Sequence, residues 1–356
     1  MLSGWIILDK PIGLGSTQAV AAVKRNLRSA GHGKGVKVGH GGTLDPLATG
    51  VLPIAVGEAT KLCGRMLDAS KIYAFTVSFG AETDTLDLEG AVIARCDERP
   101  SRATLAGVLA QFTGPIEQVP PAYSAIRIDG QRAYDRARAG EVVAMKTRAI
   151  TVHSLTLEEE LEHPSFNYLN PPPSGEVSAH RADGGGPLVN IHHAATVSPA
   201  APSVSLREPP PPGGEDLLAS ATFIAHVSKG TYIRSLARDI ARAAGSLGHV
   251  TMLRRLRAGP FTLSAAISLD MLNEAGKGAG FENILLPLEA GLDDIPALDL
   301  YPEQARAVRQ GRVLTGLPHE DGLYWARSGN IPIALVQLSD GGLSVERGFN
   351  CSDVAE

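Results

Sequence analysis

The stretch GHGGTLDPLATGVLP, residues 39–53, decides how this chain is interpreted. It places one carboxylate, Asp45, between a glycine-rich approach and Pro46, and an apolar run follows at once. Glycine permits backbone conformations that other residues avoid, and Asp before Pro favours turns or extended backbone. The stretch therefore predicts a loop leading into a buried strand, with Asp45 either a turn former or a reactive carboxylate at the edge of a cleft.

Length and composition place the chain among ordinary globular proteins. Its 356 residues allow one large or two medium domains, and 44% of them are hydrophobic and 20% charged. No apolar run approaches the roughly 20 residues of a membrane span. The apolar N-terminal stretch is also too short, and lacks the basic lead, for a secretory signal. We therefore expect a cytoplasmic protein with no membrane partner.

The three cysteines Cys63, Cys96 and Cys351 lie far apart and show no CxxC spacing. Such spacing favours neither a disulfide framework nor a zinc site, so we expect free thiols.

Charge is segregated along the chain, although the formal net charge of −5 argues at first sight against a nucleic-acid partner. Residues 22–38 carry five basic residues and no acid, and residues 219–262 carry seven basic residues against Asp239 alone. Acidic residues without any Lys or Arg occupy 282–303. This pattern fits either a face for an anionic partner or solvated helix faces.

The order of strand and helix patterns predicts an α+β fold. The first strand pattern, WIILDKP, is followed by a helix pattern, STQAVAAVKRNLRSA, with Ser16 or Thr17 as its N-cap. VLPIAVG and KIYAFTVSFG predict further strands, and AETDTLDLEG supplies turn residues before the strand-like AVIARC. The irregular order favours a mixed sheet over a regular βαβ repeat.

Residues from about 160 to 217 are rich in Pro, Gly, Ser and Ala. Such a composition buries too little apolar surface to offset its ordering entropy, so it predicts a disordered insertion. The strand-like RAITVHSLTLEE and LASATFIAHVS on either side place this insertion between two strands of one domain.

The last part of the chain reads as a separate small module. Residues 264–283 look like a linker, and three short strand patterns follow, GLYWARSG, IPIALVQL and LSVERGF. We therefore expect one large domain over 1–265 and a small β-barrel-like module over 285–352.

Four residues are candidates for a functional site: Asp45 in its Gly/Pro setting, Tyr73 in KIY, Arg234 in SKGTYIRSLARDIA, and Leu253 in MLRRLRAGPF. Each has a simpler explanation when taken alone. Tyr73 fits a strand aromatic, Arg234 a surface charge and Leu253 the core.

The segments that surround these residues are more specific. The segments GWIILDKPIGLGS, GHGGTLDPLATGVLPIAVGEATK, FGAETDTLDLEG, FTGPIEQVPPAYSAIRIDGQRAYDRARAG and SKGTYIRSLARDIA resemble, in order, blocks of the TruB family of bacterial tRNA pseudouridine-55 synthases.

The resemblance runs from Gly4 to about Phe261 and weakens in the C-terminal module. It implies a mixed, mainly antiparallel sheet with flanking helices and a cleft across its middle, followed by a PUA-like RNA-binding module. The implied reaction isomerises uridine to pseudouridine in the T-loop of tRNA, with no cofactor and no metal. The implied partner is tRNA and not DNA, and we expect a monomer.

The resemblance also assigns roles to residues. Asp45 matches the catalytic aspartate, which attacks either C1′ of the ribose or C6 of uracil, and Arg234 would hold it in a bidentate ion pair. Tyr73 would stack on the flipped uracil and assist proton removal at C5. Substrate contacts are implied for His40, Tyr232 and Leu253, although His40 also fits a plain loop histidine. Base flipping is required because a stacked uracil is out of reach.

Several positions stay open or depart from the family pattern. Lys10 and Lys61 fit either phosphate contact or surface solvation, and Asp84 and Asp87 fit turn hydrogen bonds. The chain has Gly41 where we would expect Thr, and Val227 where the family often has Cys. Two other functions are kept as alternatives: a non-catalytic RNA-binding or tRNA-folding protein, and a guide-RNA-dependent pseudouridine synthase.

Overall fold

Strands make up most of the regular structure. A computed structural model describes residues 2–33, 35–158, 216–278 and 280–351. Its strands in chain order are β1 Gly4–Lys10, β2 Val38–His40, β3 Thr49–Val56, β4 Lys71–Phe79, β5 Ala81–Thr83, β6 Val92–Arg95, β7 Gly114–Gln118, β8 Arg127–Ile128, β9 Gln131–Arg132, β10 Arg148–Leu157, β11 Ser220–Val227, β12 Gly248–Ala258, β13 Phe261–Thr262, β14 Ala297–Asp299, β15 Leu314–Thr315, β16 Gly322–Ser328, β17 Ile331–Ser339 and β18 Gly342–Gly348.

Helices are short by comparison. The α-helices in the described ranges are α1 Ser16–Ser29, α2 Cys63–Asp68, α3 Arg102–Val108, α4 Ala133–Arg138, α5 Ile233–Ala243, α6 Leu269–Ala275 and α7 Pro302–Arg309. A 3-10 helix, Gly57–Leu62, leads into α2. None of these helices combines the length and apolar character needed to cross a membrane.

One nine-stranded sheet organises the first part of the chain. Its order is β1-β3-β12-β4-β11-β10-β7, with β2 paired to β3 and β13 to β12. All these pairs are antiparallel except β12 with β3. The α+β class and the mainly antiparallel sheet expected from the sequence are therefore confirmed.

Apolar periodicity fixes which faces are covered. Alternate residues Phe75, Val77 and Phe79 of β4 point into a core with Leu236 and Ile240 of α5. This is the period-two pattern of a strand against the stripe of an amphipathic helix. The run WIIL of β1 is buried on both faces: Ile6 and Leu8 pack towards α1, while Trp5 and Ile7 pack towards Leu288, Leu292 and the C-terminal sheet. That explains why β1 is continuously apolar.

The predicted cap of α1 is wrong in an informative way. Gly15 is the N-cap, and its N–H donates to Oε1 of Gln18 at 2.8 Å. Ser16 is buried, and its hydroxyl accepts from Leu44 N–H at 2.8 Å and donates to Leu44 C=O at 3.0 Å. The helix start is thus tied to the loop that carries Asp45.

The segment expected to be a linker, residues 264–283, contains α6. Ser268 caps this helix by accepting from Met271 N–H, and the buried Leu272 and Phe281 join the core beneath α1. The sequence interpretation missed the helix because glycines and polar residues surround its two core-facing residues, Leu269 and Leu272.

The C-terminal sheet contains the three strands that the sequence predicted. β16, β17 and β18 form its centre, and the short strands β14 and β15 complete the order β14-β16-β17-β18-β15. Helix α7, which the sequence reading omitted, packs Ala305 and Val308 against Val336 and Leu338. Leu335 and Phe349 join the core around Trp5, so this sheet shares buried surface with the main one.

The insertion expected at about 160–217 falls almost entirely outside the described residues, and its predicted disorder lies outside them too. The strands on either side, β10 and β11, pair directly, with Leu157 opposite Phe223. The two strand patterns flanking the insertion therefore do belong to one sheet.

Candidate active site

The loop carrying Asp45 connects β2 to β3 and is held from several sides. Ser16 bonds both backbone groups of Leu44, Ala48 N–H donates to Asp45 C=O, and Gly13 N–H donates to Pro46 C=O at 2.8 Å. The Asp45 side chain itself is 49% exposed. The sequence thus places a carboxylate on a fixed backbone with one side open to solvent.

Arg255 supports the same loop from within the sheet. It is 1% exposed, and its guanidinium donates from Nε to Val51 C=O at 2.7 Å, from Nη1 to Thr43 C=O at 3.1 Å and from Nη2 to Gly42 C=O at 3.3 Å. Buried carbonyls left without a donor are costly, so this arginine ties the loop to the start of β3. No pattern in the sequence singled it out.

Lys10 and Lys71 are two further buried cations with backbone partners. Lys10 donates to the C=O groups of Pro11, Leu14 and Pro46, and burial lowers its pKa to about 8 while Asp45 opposes the shift. Lys71 donates to three C=O groups at the end of α2, and burial, with Arg255, lowers its pKa to about 8.

Lys10 and Lys61 both have partners within the protein. Lys10 is fully buried, so it is not a solvated surface lysine. Lys61 donates to Glu58 at 2.7 Å and to Gly348 C=O at 2.8 Å, which links Gly57–Leu62 to the C-terminal sheet.

Arg234 lies in the first turn of α5 and meets two carboxylates. Its Nη2 lies 3.0 Å from Asp45 Oδ2, and its Nη1 lies 3.1 Å from Asp87 Oδ2. The same nitrogens donate to Thr85 C=O at 2.8 Å and Tyr123 C=O at 3.1 Å. The guanidinium is therefore divided among four groups instead of forming the bidentate pair with Asp45 that the sequence predicted.

Asp87 is the site residue that sequence reasoning missed. It serves the turn as expected, because its Oδ1 accepts from Glu89 N–H at 3.0 Å and from the Thr85 hydroxyl. Its other oxygen faces Arg234 and is buried. The position of Asp87 inside a matched block was the available signal. Asp84 has a different partner, the hydroxyl of Tyr123.

Gln118, at the end of β7, positions the backbone of Tyr232 just before α5. The Gln118 amide accepts from Tyr232 N–H at 2.8 Å and donates to Tyr232 C=O at 3.1 Å. Ser235 adds a bond to Val119 C=O at 2.8 Å. Burial raises the pKa of the Tyr232 phenol. The edge strand β7 thus fixes the start of α5.

Four of the predicted residues line one cavity of about 210 Å³ with Asp45: Tyr73 from β4, Tyr232 and Arg234 from the start of α5, and Leu253 from β12. Leu253 pairs with Phe75 across the strands, next to Tyr73. The cavity therefore combines a paired carboxylate with two aromatic rings and an apolar side chain, a combination suited to a flat base attached to a sugar.

His40 does not line this cavity. It lies on β2 beside a separate groove with Lys24, Lys37 and Cys63. Burial lowers its pKa, and its Nδ1 is buried without a partner among the described residues. At the neighbouring departure from the family pattern, a Cβ on Gly41 would lie 2.6 Å from Cβ of Met66, so Thr would not fit this loop as it stands.

The basic residues of 219–262 are mostly engaged inside the protein. Five form ion pairs: Lys229 with Asp68, Arg234 with Asp45 and Asp87, Arg238 with Asp239, Arg242 with Glu82, and Arg254 with Asp9. Arg255 bonds backbone carbonyls, and Arg257 faces His226. Most of the charges in this run therefore have partners within the protein.

Metal chemistry has no obvious ligand set here. Within the described ranges, no group of three or more His, Cys, Asp or Glu side chains is arranged to hold a metal ion.

Comparison with known proteins decides the family. Residues 27–169 match the model described as TruB family pseudouridylate synthase (N terminal domain), and residues 234–293 match the tRNA pseudouridylate synthase B C-terminal domain. A protein of Novosphingobium aromaticivorans named tRNA pseudouridine synthase B is 61% identical over the full length of both chains. The chain belongs to the TruB family.

Other TruB relatives and solved structures agree. The protein of the same name from Zymomonas mobilis is 50% identical, covering 98% of this chain and 96% of the relative. The structure of an H/ACA RNP bound to a substrate RNA containing 2′-deoxyuridine contains a chain that aligns with a TM-score of 0.60 at 22% identity, over 98% of this chain and 86% of that one. At that identity the likeness shows the fold. Membership of the TruB family makes the chain a pseudouridine synthase, an isomerase.

Proposed function

We propose that this TruB protein isomerises a uridine in the T-loop of tRNA, with Asp45 as the nucleophile. The observation that carries the proposal is the Asp45–Arg234 ion pair at 3.0 Å at the edge of a cavity that Tyr73, Tyr232 and Leu253 also line. The relatives named tRNA pseudouridine synthase B support tRNA as the substrate.

The ion pair explains how the nucleophile stays ready. An ion pair with a guanidinium fixes the orientation of a carboxylate. Arg234 supplies that partner, and Asp87 on its other side holds the guanidinium in place. Carboxylates are suited to attack where an oxocarbenium-like centre develops.

The reaction requires the uracil to detach from C1′, rotate and reattach. The N1–C1′ bond breaks, the uracil rotates, and C5 bonds to C1′; the C5 proton leaves and N1 gains one. Asp45 could add to C1′ or to C6, and both routes use the same residues. Tyr73 is proposed to stack on the flipped uracil and to assist the C5 proton transfer, with Leu253 and Tyr232 also lining the space for the base. His40 is kept as a proposed RNA contact outside this cavity.

The same proposal extends to the whole chain. Residues 1–265 form the catalytic domain, and residues 285–352 form a PUA-like RNA-binding module, consistent with its separate five-stranded sheet. We further propose that the protein acts as a monomer in the cytoplasm and needs no cofactor.

The deciding experiment maps pseudouridine by position in an unmodified tRNA transcript after incubation with wild type or Asp45→Asn. Asparagine keeps the shape of the side chain and removes its charge and nucleophilicity. We expect product at the T-loop uridine with wild type and none with the variant, while both bind the transcript. Binding without product from wild type would contradict the proposal and favour a tRNA-folding role. Equal product from both proteins would remove Asp45 as the nucleophile.

A further inference from the structure

Arg257 stands apart from the other basic residues of 219–262. None of the ion pairs in the described ranges includes it, and its Nε is buried there without a hydrogen-bond partner. Its Nη2 lies 3.2 Å from Nε2 of His226. A half-buried guanidinium without a carboxylate has donors to offer to an anion.

Two shifts in strand register lie beside Arg257. The register between β10 and β11 shifts between Val152 and Ser154, which leaves His153 as the extra residue. The register between β12 and β4 shifts between Arg255 and Arg257. On β4, Ile72 pairs with both His226 and Arg257, so the cluster crosses four neighbouring strands. Bulges redirect side chains and recur next to functional sites.

The histidines contact each other and a hydroxyl. The rings of His153 and His226 have centroids 4.6 Å apart, and Nε2 of His226 lies 2.9 Å from Oγ of Ser70. Arginine only donates, so Nε2 of His226 accepts and its ring proton lies on Nδ1. His153 is exposed, which leaves the cluster open to solvent.

The charged groups around the cluster are mainly basic. Burial lowers the pKa of His226, and His153 on β10 and Arg257 on β12 lower it further. From the loop before β4, the nearest acid along the chain is Asp68, which is paired with Lys229 at 2.9 Å. An anion placed here would favour the protonated form of His226 and supply the missing partner of Arg257.

We propose that Ser70, His153, His226 and Arg257 form a phosphate-binding site on the face of the sheet opposite to the cleft, and that it receives a backbone phosphate of the RNA. Successive strand residues point to opposite faces, so Val227 lines the cavity of Asp45 while His226 lies behind it. The RNA assignment rests on the proposed function, because it assumes that an RNA strand reaches the cleft and passes these strand ends. The phosphate site itself does not depend on the proposed function.

The first test uses inorganic phosphate as the probe and ring-labelled histidines as reporters in the full chain. Resonances are assigned with His153→Gln and His226→Gln. We expect saturable shifts of both histidines, tighter at pH 6 than at pH 8, and at least about fivefold weaker in Arg257→Gln. Arg95→Gln, which changes an exposed strand arginine elsewhere, keeps wild-type shifts. Absence of saturable shifts, or equal shifts in Arg257→Gln, would overturn the site.

The second test asks whether the phosphate comes from RNA. Affinity for an unmodified tRNA transcript is measured against salt for wild type, Arg257→Gln, Arg257→Lys and Arg95→Gln. We expect Arg257→Gln to bind roughly three- to tenfold more weakly, with a salt slope lower by about 1. Arg257→Lys keeps the slope, which separates charge from folding. An unchanged slope in Arg257→Gln, beside a positive phosphate titration, would overturn the RNA assignment and leave a site for free phosphate groups.

Product formation by wild type in the same reactions separates the two proposals. If phosphate binds but no pseudouridine forms, the proposed function fails and the phosphate site stands. If pseudouridine forms and the histidines do not respond to phosphate, the site fails and the proposed function stands.

Discussion

Two regions of this molecule have the same kind of sequence and opposite structural roles. The stretch 22–38 carries its described basic residues Lys24, Arg25, Arg28 and Lys37 on the exposed side of α1 and the loop after it. The stretch 219–262 directs its basic residues mainly inward, onto carboxylates and carbonyls around the cleft. The difference teaches that a count of positive charges along a sequence says little about which charges are free to meet an anion.

The sharpest test of the inward group is Arg234→Lys. An ammonium is a single point charge and cannot reach Asp45, Asp87 and two carbonyls as the guanidinium does. We expect the single-turnover rate of pseudouridine formation to fall by roughly a hundredfold or more, with tRNA affinity within about threefold of wild type.

Arg238→Lys is the matched control for that experiment. Arg238 lies on the same helix and pairs with its neighbour Asp239 outside the cavity. Near-normal turnover in Arg234→Lys would remove the ion-pair argument, and an equal loss in both variants would point to a general effect on α5.

The second test separates support from binding at Arg255. Replacing it with Met leaves the carbonyls of Gly42, Thr43 and Val51 without their donor. We expect the free energy of unfolding to fall by roughly 3 kcal/mol, measured by urea denaturation. The exposed Lys24→Met should stay within about 0.5 kcal/mol of wild type. Similar unfolding midpoints for the two variants would erase the distinction between the regions.

The third test concerns the outward group. The triple change Lys24→Gln, Arg28→Gln and Lys37→Gln removes three exposed charges. We expect tRNA affinity to fall about tenfold in 0.1 M salt and the salt slope to decrease by about 2, with the unfolding midpoint unchanged. An unchanged slope would mean that these residues are only a solvated face.

The last test concerns the pH dependence of stability due to Lys71. Burial lowers its folded-state pKa from 10.5 to about 8. Between these values the unfolded chain binds more protons than the folded one, so the free energy of unfolding rises with pH. Compared with Lys71→Met, wild type should therefore gain stability from pH 8 to pH 10 in urea titrations. Parallel curves for the two proteins would contradict a buried, titrating lysine.

Local patterns predicted the strands well, because alternation and turn residues are properties of short segments. β3, β4 and the three central strands of the C-terminal sheet lie where the sequence placed them. Residues that depend on distant partners escaped prediction. Ser16 was expected to cap its own helix, yet it bonds Leu44, and α6 is held by two apolar residues whose environment belongs to other segments.

The candidate site shows the same difference between residues that the sequence could identify and contacts that it could not. The resemblance identified residues that the fold does bring to one cavity, such as Tyr73 and Tyr232. It did not reveal the sharing of Arg234 between two acids or the support from Gln118, because a hydrogen bond over 114 positions leaves no trace in a single sequence. The resemblance assigned His40 a substrate contact, and the structure places it beside a groove separate from the cavity that Asp45 lines.

The direct pairing of β10 with β11 has a consequence for protein engineering. Leu157 lies opposite Phe223, so the chain leaves the sheet and re-enters it at neighbouring points. Loop-closure entropy grows slowly with length, by about 0.6 kcal/mol for each doubling of the chain between two such points. The connection between β10 and β11 is thus a position at which a fluorescent reporter or an affinity tag could be inserted without interrupting the strands that carry the chemistry.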